Sequence, residues 1–202
     1  MDFEHTDIEQ QPDLPEDTGS KAPESSLKAE IISWVKVVVT AVVIALLLDF
    51  LVIANAVVPT GSMEDTIPAG SRIIGLRLYY HFKEPARGDI VIFKYPDDES
   101  TDYLKRIIGL PGDKVEIISG MVYINDSETP LYEPYVRETP LGDYGPYVVP
   151  EGCYFMLGDN RNVSKDSRFW VNTFVTEDEL VAKAFIMYYP RIKWLDTVDY
   201  DQ

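Results

Sequence analysis

From Ile31 to Val58 the chain is almost continuously apolar, and Val37–Leu48 within it has no charge and only Thr40 as a polar residue. About 20 such residues are enough to cross a hydrocarbon core of about 30 Å as a helix. Lys36 and Asp49 flank this centre. A register of Val35–Ala54 holds Asp49 inside the bilayer at a cost of up to about 3 kcal/mol. A register of Ile31–Leu48 leaves Asp49 at the interface and lets Lys36 snorkel. Both registers span, and the pattern predicts a transmembrane helix over residues 31–56. The alternatives are a helix buried in a soluble core and a cleaved leader. Ala54-Asn55-Ala56 suits a leader cleavage site, but the long acidic stretch before the apolar run does not suit a leader.

After Val57 the apolar positions come in short runs. Ser71–Leu78, Asp89–Tyr95, Tyr103–Ile108, Lys114–Ile118, Met121–Ile124, Tyr147–Val149, Tyr154–Leu157 and Val181–Tyr189 are rich in Val, Ile, Tyr and Phe. Gly, Pro and Asp separate them, which is the punctuation of strands and turns. Ser119-Gly120 fits a tight hairpin turn. Thr176-Glu177-Asp178-Glu179 is a capping box that starts one short turn of helix. The fold expected is mainly β, in a domain over residues 57–202, behind a single N-terminal transmembrane helix.

Residues 1–30 hold nine acidic side chains against Lys21 and Lys28, with Pro12, Pro15 and Pro23 breaking any helix. This segment reads as a disordered acidic tail. Lys28 and Lys36 lie on the N-terminal side of the span, which favours a cytoplasmic N-terminus and an extracytoplasmic β domain.

Charge and composition narrow the chemistry. The chain has 202 residues, 34 acidic against 18 basic, and a net charge of −16. That balance argues against nucleic acid as a partner. Cys153 is the one cysteine, so neither an internal disulfide nor a cysteine-based zinc site is available. The two histidines are His5, in the polar tail, and His81. A Ser-His-Asp triad would rest on His81 alone, so serine chemistry here calls for another base.

Three stretches carry chemistry. Val58-Pro59-Thr60-Gly61-Ser62-Met63-Glu64-Asp65 follows the span directly, and its proline and glycine can hold a turn that presents Ser62 and leaves amides free. Alone, it equally fits an ordinary loop. In Tyr103-Leu104-Lys105-Arg106-Ile107-Ile108, alternation puts Lys105 on one face with Tyr103 and Ile107, and Arg106 on the other. Burial would lower the Lys105 pKa from about 10.4 into the range of a working base, while an exposed edge-strand lysine is the plain alternative. Gly158-Asp159-Asn160-Arg161-Asn162-Val163-Ser164-Lys165-Asp166-Ser167-Arg168 is a dense polar loop that opposite charges can knit together. Its oxygen ligands raise the possibility of a cation, against which its arginines argue.

In this order, behind one apolar span, the three stretches resemble the bacterial type I signal peptidases. Gly88-Asp89-Ile90-Val91-Ile92-Phe93 looks like that family's strand between nucleophile and base, and the resemblance runs from about Trp34 to Tyr189. It implies a Ser-Lys dyad protease of the plasma membrane that cuts exported preproteins after small residues in an Ala-X-Ala pattern, without cofactor or metal. Ser62 would be the nucleophile and Lys105 the general base. The Ser62 N–H and the Thr60 hydroxyl would form the oxyanion hole, and Ser164 would orient Lys105. Asp159, Asn160, Asp166, Arg168 and Met63 would support the site. Three positions depart from the family's habit: Thr60 for serine, Asp65 for proline and Val171 for glycine. A catalytically dead binding protein of the same fold, a self-cleaving Ser-Lys protease and a sortase-like use of Cys153 are the competing readings. Ala54-Asn55-Ala56 also matches the substrate pattern, which raises slow self-cleavage after Ala56, and Leu78-Tyr79-Tyr80-His81-Phe82 is an aromatic run suited to a membrane interface.

Overall fold

The computed structural model describes residues 25–198 and 200, so the proposed tail lies largely outside the described residues. The chain divides into an N-terminal unit that ends at Val43 and a compact unit over Ile44–Gln202. Helix α1 spans Ser25–Val52, and its apolar stretch, Leu27–Leu48, is 22 residues long with side chains exposed. A helix apolar all round and without buried surface matches a bilayer better than a protein core.

The helix stops earlier than the pattern suggested. Residues 31–56 were expected to be helical, but Ile53–Val57 form strand β1. Arg77 takes the chain end of the helix: its N–H donates to Val52 O at 2.9 Å and its Nε to Ile53 O at 3.2 Å. From there β1 pairs antiparallel with β2 (Arg72–Leu76), Ala54 opposite Gly75 and Ala56 opposite Ile73. Hydrophobicity cannot distinguish a strand from a helix when an apolar strand follows an apolar helix directly. Ala54 is thereby buried, and cutting after Ala56 would first require β1 to leave β2.

The remaining strands are β3 (Ile90–Tyr95), β4 (Asp98–Gly109), β5 (Lys114–Ile118), β6 (Met121–Ile124), β7 (Tyr144–Val148), β8 (Cys153–Leu157), β9 (Val175–Thr176), β10 (Leu180–Tyr189) and β11 (Lys193–Trp194). Among the described residues they form an eight-stranded sheet in the order β1-β2-β10-β3-β4-β8-β9, with β11 on β10, and a three-stranded sheet in the order β6-β5-β7. The β5–β6 hairpin turns at Ser119 and Gly120, both with positive φ, as a two-residue turn between right-twisted strands requires. The capping box is present at a 3-10 turn over Glu177–Glu179, where the Thr176 N–H donates to the Glu179 carboxylate at 2.6 Å.

Strands β3 and β4 are covered on both faces. Ile90 and Ile92 pack with Met63, Ile67 and Ile73, while Val91 and Phe93 pack with Ile107, Met156 and Trp170. A third cluster, with Ile108, Val115 and Phe155, joins the small sheet to the large one. At about 25 cal/mol per Å² of apolar surface, these clusters are the main stabilising term. They also fix β4, on which Lys105 sits.

Candidate active site

Ser62 lies in the loop that links β1 to β2. Val58 N–H donates to Ser71 O at 2.9 Å and Gly70 N–H to Val58 O at 2.7 Å, which closes the base of this loop. Within it, Glu64 N–H reaches Gly61 O at 3.1 Å and Ile67 N–H reaches Met63 O at 2.8 Å. Met63 and Ile67 are fully buried and anchor the turn in the core, so Ser62 is aimed by packing on its neighbour.

Lys105 stands on β4 opposite Val91 of β3. Its Nζ is 2.6 Å from Ser62 Oγ, and the two residues are 4% and 8% exposed. Burial pulls the Lys105 pKa down to about 8, against the pull of the Asp166 and Asp159 carboxylates in the other direction. The Tyr103 ring lies 5.5 Å from Nζ, on the face that alternation assigned to both residues. A neutral amine in this position can accept a hydroxyl proton, and an alkoxide so formed is a competent nucleophile. Thr60 Oγ1 is 3.4 Å from Ser62 Oγ. Among the described residues no acceptor takes the Ser62 N–H.

The polar loop after β8 closes the site from behind. Asn160 N–H donates to Ser62 O at 3.1 Å and its Nδ2 to Gly61 O at 3.2 Å. Gly158 permits this approach: a Cβ there would collide with Ser164 Oγ and would meet Ser62 O at 2.5 Å. Asp166 accepts from Gly158 N–H at 3.1 Å and from Arg168 Nε at 2.8 Å. Asp159 pairs with Arg106 through two bonds of 2.8 and 2.7 Å. One expectation changes here. Ser164 Oγ is buried and makes no hydrogen bond among the described residues, to Lys105 or to any other group. Its backbone N–H instead holds the loop, through Asn160 O at 3.0 Å. Arg106 does point away from Lys105, but it is just 2% exposed, because β4 lies between β3 and β8 with both faces covered.

Sequence reasoning missed the rest of this ionic frame. Arg161 donates to Glu133 Oε2 at 2.8 Å and to Gly158 O at 3.1 Å, and the Tyr135 ring lies 3.9 Å from the Arg106 guanidinium. Glu133 and Tyr135 come from the long connection between β6 and β7, whose polar sequence carries no period. The only signal was that so many buried charges needed partners.

The departures are accommodated. Asp65 pairs at the surface with Arg137 at 3.1 Å, and Val171 is 90% exposed. Of the other singled-out residues, Cys153 is half-buried on β8 and His81, itself exposed, ends a 3-10 turn over Tyr79–His81. Tyr80 turns inward to Asp89 at 3.1 Å, and Phe82 stays exposed.

A groove of about 510 Å³ opens beside Ser62 and Lys105, walled by Ala56, Val58, Ile73, Ile92 and Leu104. Its apolar wall offers room for small side chains beside the reacting atoms.

The signal peptidase, peptidase S26, family model matches residues 31–189. The chain belongs to that family. It is 38% identical over 176 residues to the probable signal peptidase I-2 of Synechocystis sp., covering 85% of this chain and 79% of that protein. It is 36% identical over 214 residues to the signal peptidase I of Rickettsia bellii, covering 79% of this chain and 74% of that one. A solved signal peptidase I from Enterococcus faecalis V583 aligns with a TM-score of 0.43 and 34% identity, over 50% of this chain and 97% of that one.

Proposed function

We propose that the protein is a membrane-anchored signal peptidase that removes signal peptides from exported preproteins after small residues, by a Ser62–Lys105 dyad. The observation that carries this reading is the 2.6 Å contact between Lys105 Nζ and Ser62 Oγ in a buried site. Ser62 Oγ attacks the scissile carbonyl carbon while its proton passes to Lys105 Nζ. The oxyanion takes hydrogen bonds from the Ser62 N–H and the Thr60 hydroxyl. The Lys105 ammonium then gives its proton to the leaving amine, the C–N bond breaks, and an ester to Ser62 remains. Water, deprotonated by Lys105, attacks that ester and frees Ser62. The frame of Asp159, Asn160, Asp166 and Arg168 keeps the loop in place, and Met63 fastens the turn. Ser164 serves the loop's packing beside Gly158.

The apolar groove lined by Ala56, Ile73 and Leu104 beside Ser62 supports the Ala-X-Ala part of this reading. In this reading α1 anchors the enzyme in the plasma membrane, with Lys28 and Lys36 keeping the N-terminus cytoplasmic and the β domain outside. The test is cleavage of a purified precursor that bears an Ala-X-Ala site, read by mass spectrometry. Wild type is expected to cut after the second alanine, and Ser62→Ala and Lys105→Ala to leave the precursor intact. A folded wild type that cuts no precursor across a range of pH would refute the proposal.

A further inference from the structure

The family match stops at residue 189, yet the segment beyond it is built into the frame behind the active site. Leu195 is buried and its N–H donates to Phe185 O at 2.9 Å. Thr197 Oγ1 donates to Asp89 Oδ1 at 2.6 Å. Gly88 has a φ of +91, and a Cβ there would lie 2.8 Å from the Tyr200 ring and 3.2 Å from the Val198 backbone, so this glycine makes room for the passing chain. Tyr200 and Tyr135 share a hydrogen bond of 2.9 Å between their hydroxyls.

Two routes lead from that pair of tyrosines to Ser62. In the first, the Tyr135 hydroxyl donates to Glu133 at 2.8 Å, Glu133 pairs with Arg161, and Arg161 Nε donates to Gly158 O at 3.1 Å. In the second, the Tyr135 ring covers the Arg106 guanidinium at 3.9 Å, and Arg106 holds Asp159. Asp159 adjoins Asn160, whose two bonds fix the carbonyls of Gly61 and Ser62. Arg106 is also the chain neighbour of Lys105. We propose that the C-terminal segment is a strap that sets the active-site loop, with Tyr200 and Tyr135 as positioning residues for Ser62 and Lys105. The proposal rests on the dyad reading above.

Buried ion pairs are rigid only while water is kept out, since a low local dielectric strengthens each contact. Tyr200 and Tyr135 supply that exclusion at the Arg106–Asp159 pair. Both hydroxyls are held neutral, their pKa values raised chiefly by burial. Lys105 touches the Ser62 hydroxyl and lies near the Tyr103 ring, the charges of Asp166 and Asp159 act on it through the protein, and Lys165 lies on the groove wall. Opening the strap admits water to Asp159, weakens its pull on the Lys105 proton, and lets the Asn160 bonds to the Ser62 turn loosen.

The test compares full-length wild type, Tyr200→Ala, Tyr200→Leu and Tyr200→Phe in detergent on one precursor. Tyr200→Ala is expected to lower kcat about tenfold with KM unchanged, as for a misplaced nucleophile, and to move the acid limb of the pH profile to lower pH. Tyr200→Leu keeps apolar bulk against Gly88, guards against failure to fold, and should show the same pH shift. Tyr200→Phe keeps the ring and should restore most of kcat. NMR titration of the Lys105 amine gives a readout independent of turnover, and its midpoint should fall in Tyr200→Ala and Tyr200→Leu. Unchanged kcat and an unchanged Lys105 midpoint in these two variants would overturn the strap. Failure of wild type to cut would overturn the dyad reading instead, and the Lys105 titration would still decide the strap.

Discussion

With its pKa lowered to about 8, Lys105 is mostly an ammonium ion at pH 7, and in the proposed mechanism only its neutral fraction takes the Ser62 proton. Cleavage should therefore rise about tenfold per pH unit below that value and level off above it. A kcat/KM profile flat between pH 6 and 9 would rule out Lys105 as the titrating base. The same burial has a cost in stability. The folded-state pKa is depressed below the unfolded value, so between about 8 and about 10.5 the unfolded chain binds more protons, and stability rises with pH in that window. Below it the penalty for burying the ammonium stands in full. Lys105→Met should accordingly raise the melting temperature at pH 7, by the equivalent of about 1–3 kcal/mol, while abolishing cleavage. Its advantage over wild type should shrink as the melts are repeated toward pH 10. Thr60 tests the oxyanion donors. Thr60→Val keeps the branched shape without the hydroxyl and should lower kcat about 100-fold with little change in KM; Thr60→Ser should keep most of the activity.

Among the elements, β4 and the loop after β8 form one ionic unit. Asp159→Ala would leave the Arg106 guanidinium buried without its carboxylate, a change that costs about 3–5 kcal/mol. Urea unfolding of this variant should show the loss, and a midpoint equal to wild type would mean that water or Tyr135 already satisfies Arg106. That pair also marks the limit of what could be read in advance. Strands such as Lys114–Ile118 and Met121–Ile124 were legible because hairpins are local: alternation and a Ser-Gly turn lie within a dozen residues. Ser62, Lys105 and the 158–168 loop were legible because each motif is short and contiguous. Arg106, Glu133, Tyr135 and Tyr200 were not, since their meaning arises only when residues 28 and 65 positions apart meet. Strand β1 was hidden for another reason. Its apolar residues continue the helix's own pattern, and the switch at Val52 depends on pairing with β2 and on Arg77, neither of which leaves a mark on hydropathy.

For the whole molecule, that switch determines where the anchor can be separated from the body. Among the residues whose side chains are described, helix α1 contributes apolar length but no core residue, whereas β1 contributes Ala54 to the core and Ala56 and Val57 to the groove. A cut at residue 57, the boundary that hydropathy alone suggests, would fall inside β1. A chain beginning at Ile53 keeps the whole paired strand. It should fold without detergent, remain in the soluble fraction, and cut a precursor peptide in solution. A chain beginning at Pro59 keeps Ser62, Lys105 and the entire polar loop, yet it exposes the edge of β2 and empties the space filled by Ala54 and Val58. Losing that burial costs about 2–4 kcal/mol by area. Its melting temperature should fall measurably, and its kcat/KM should fall further than its kcat because one wall of the groove is gone. Thermal melts and peptide cleavage on the two truncated chains decide the matter. If the Pro59 chain matches the Ile53 chain in both, β1 belongs to the anchor in function as well as in sequence, and the wall of the substrate groove lies elsewhere.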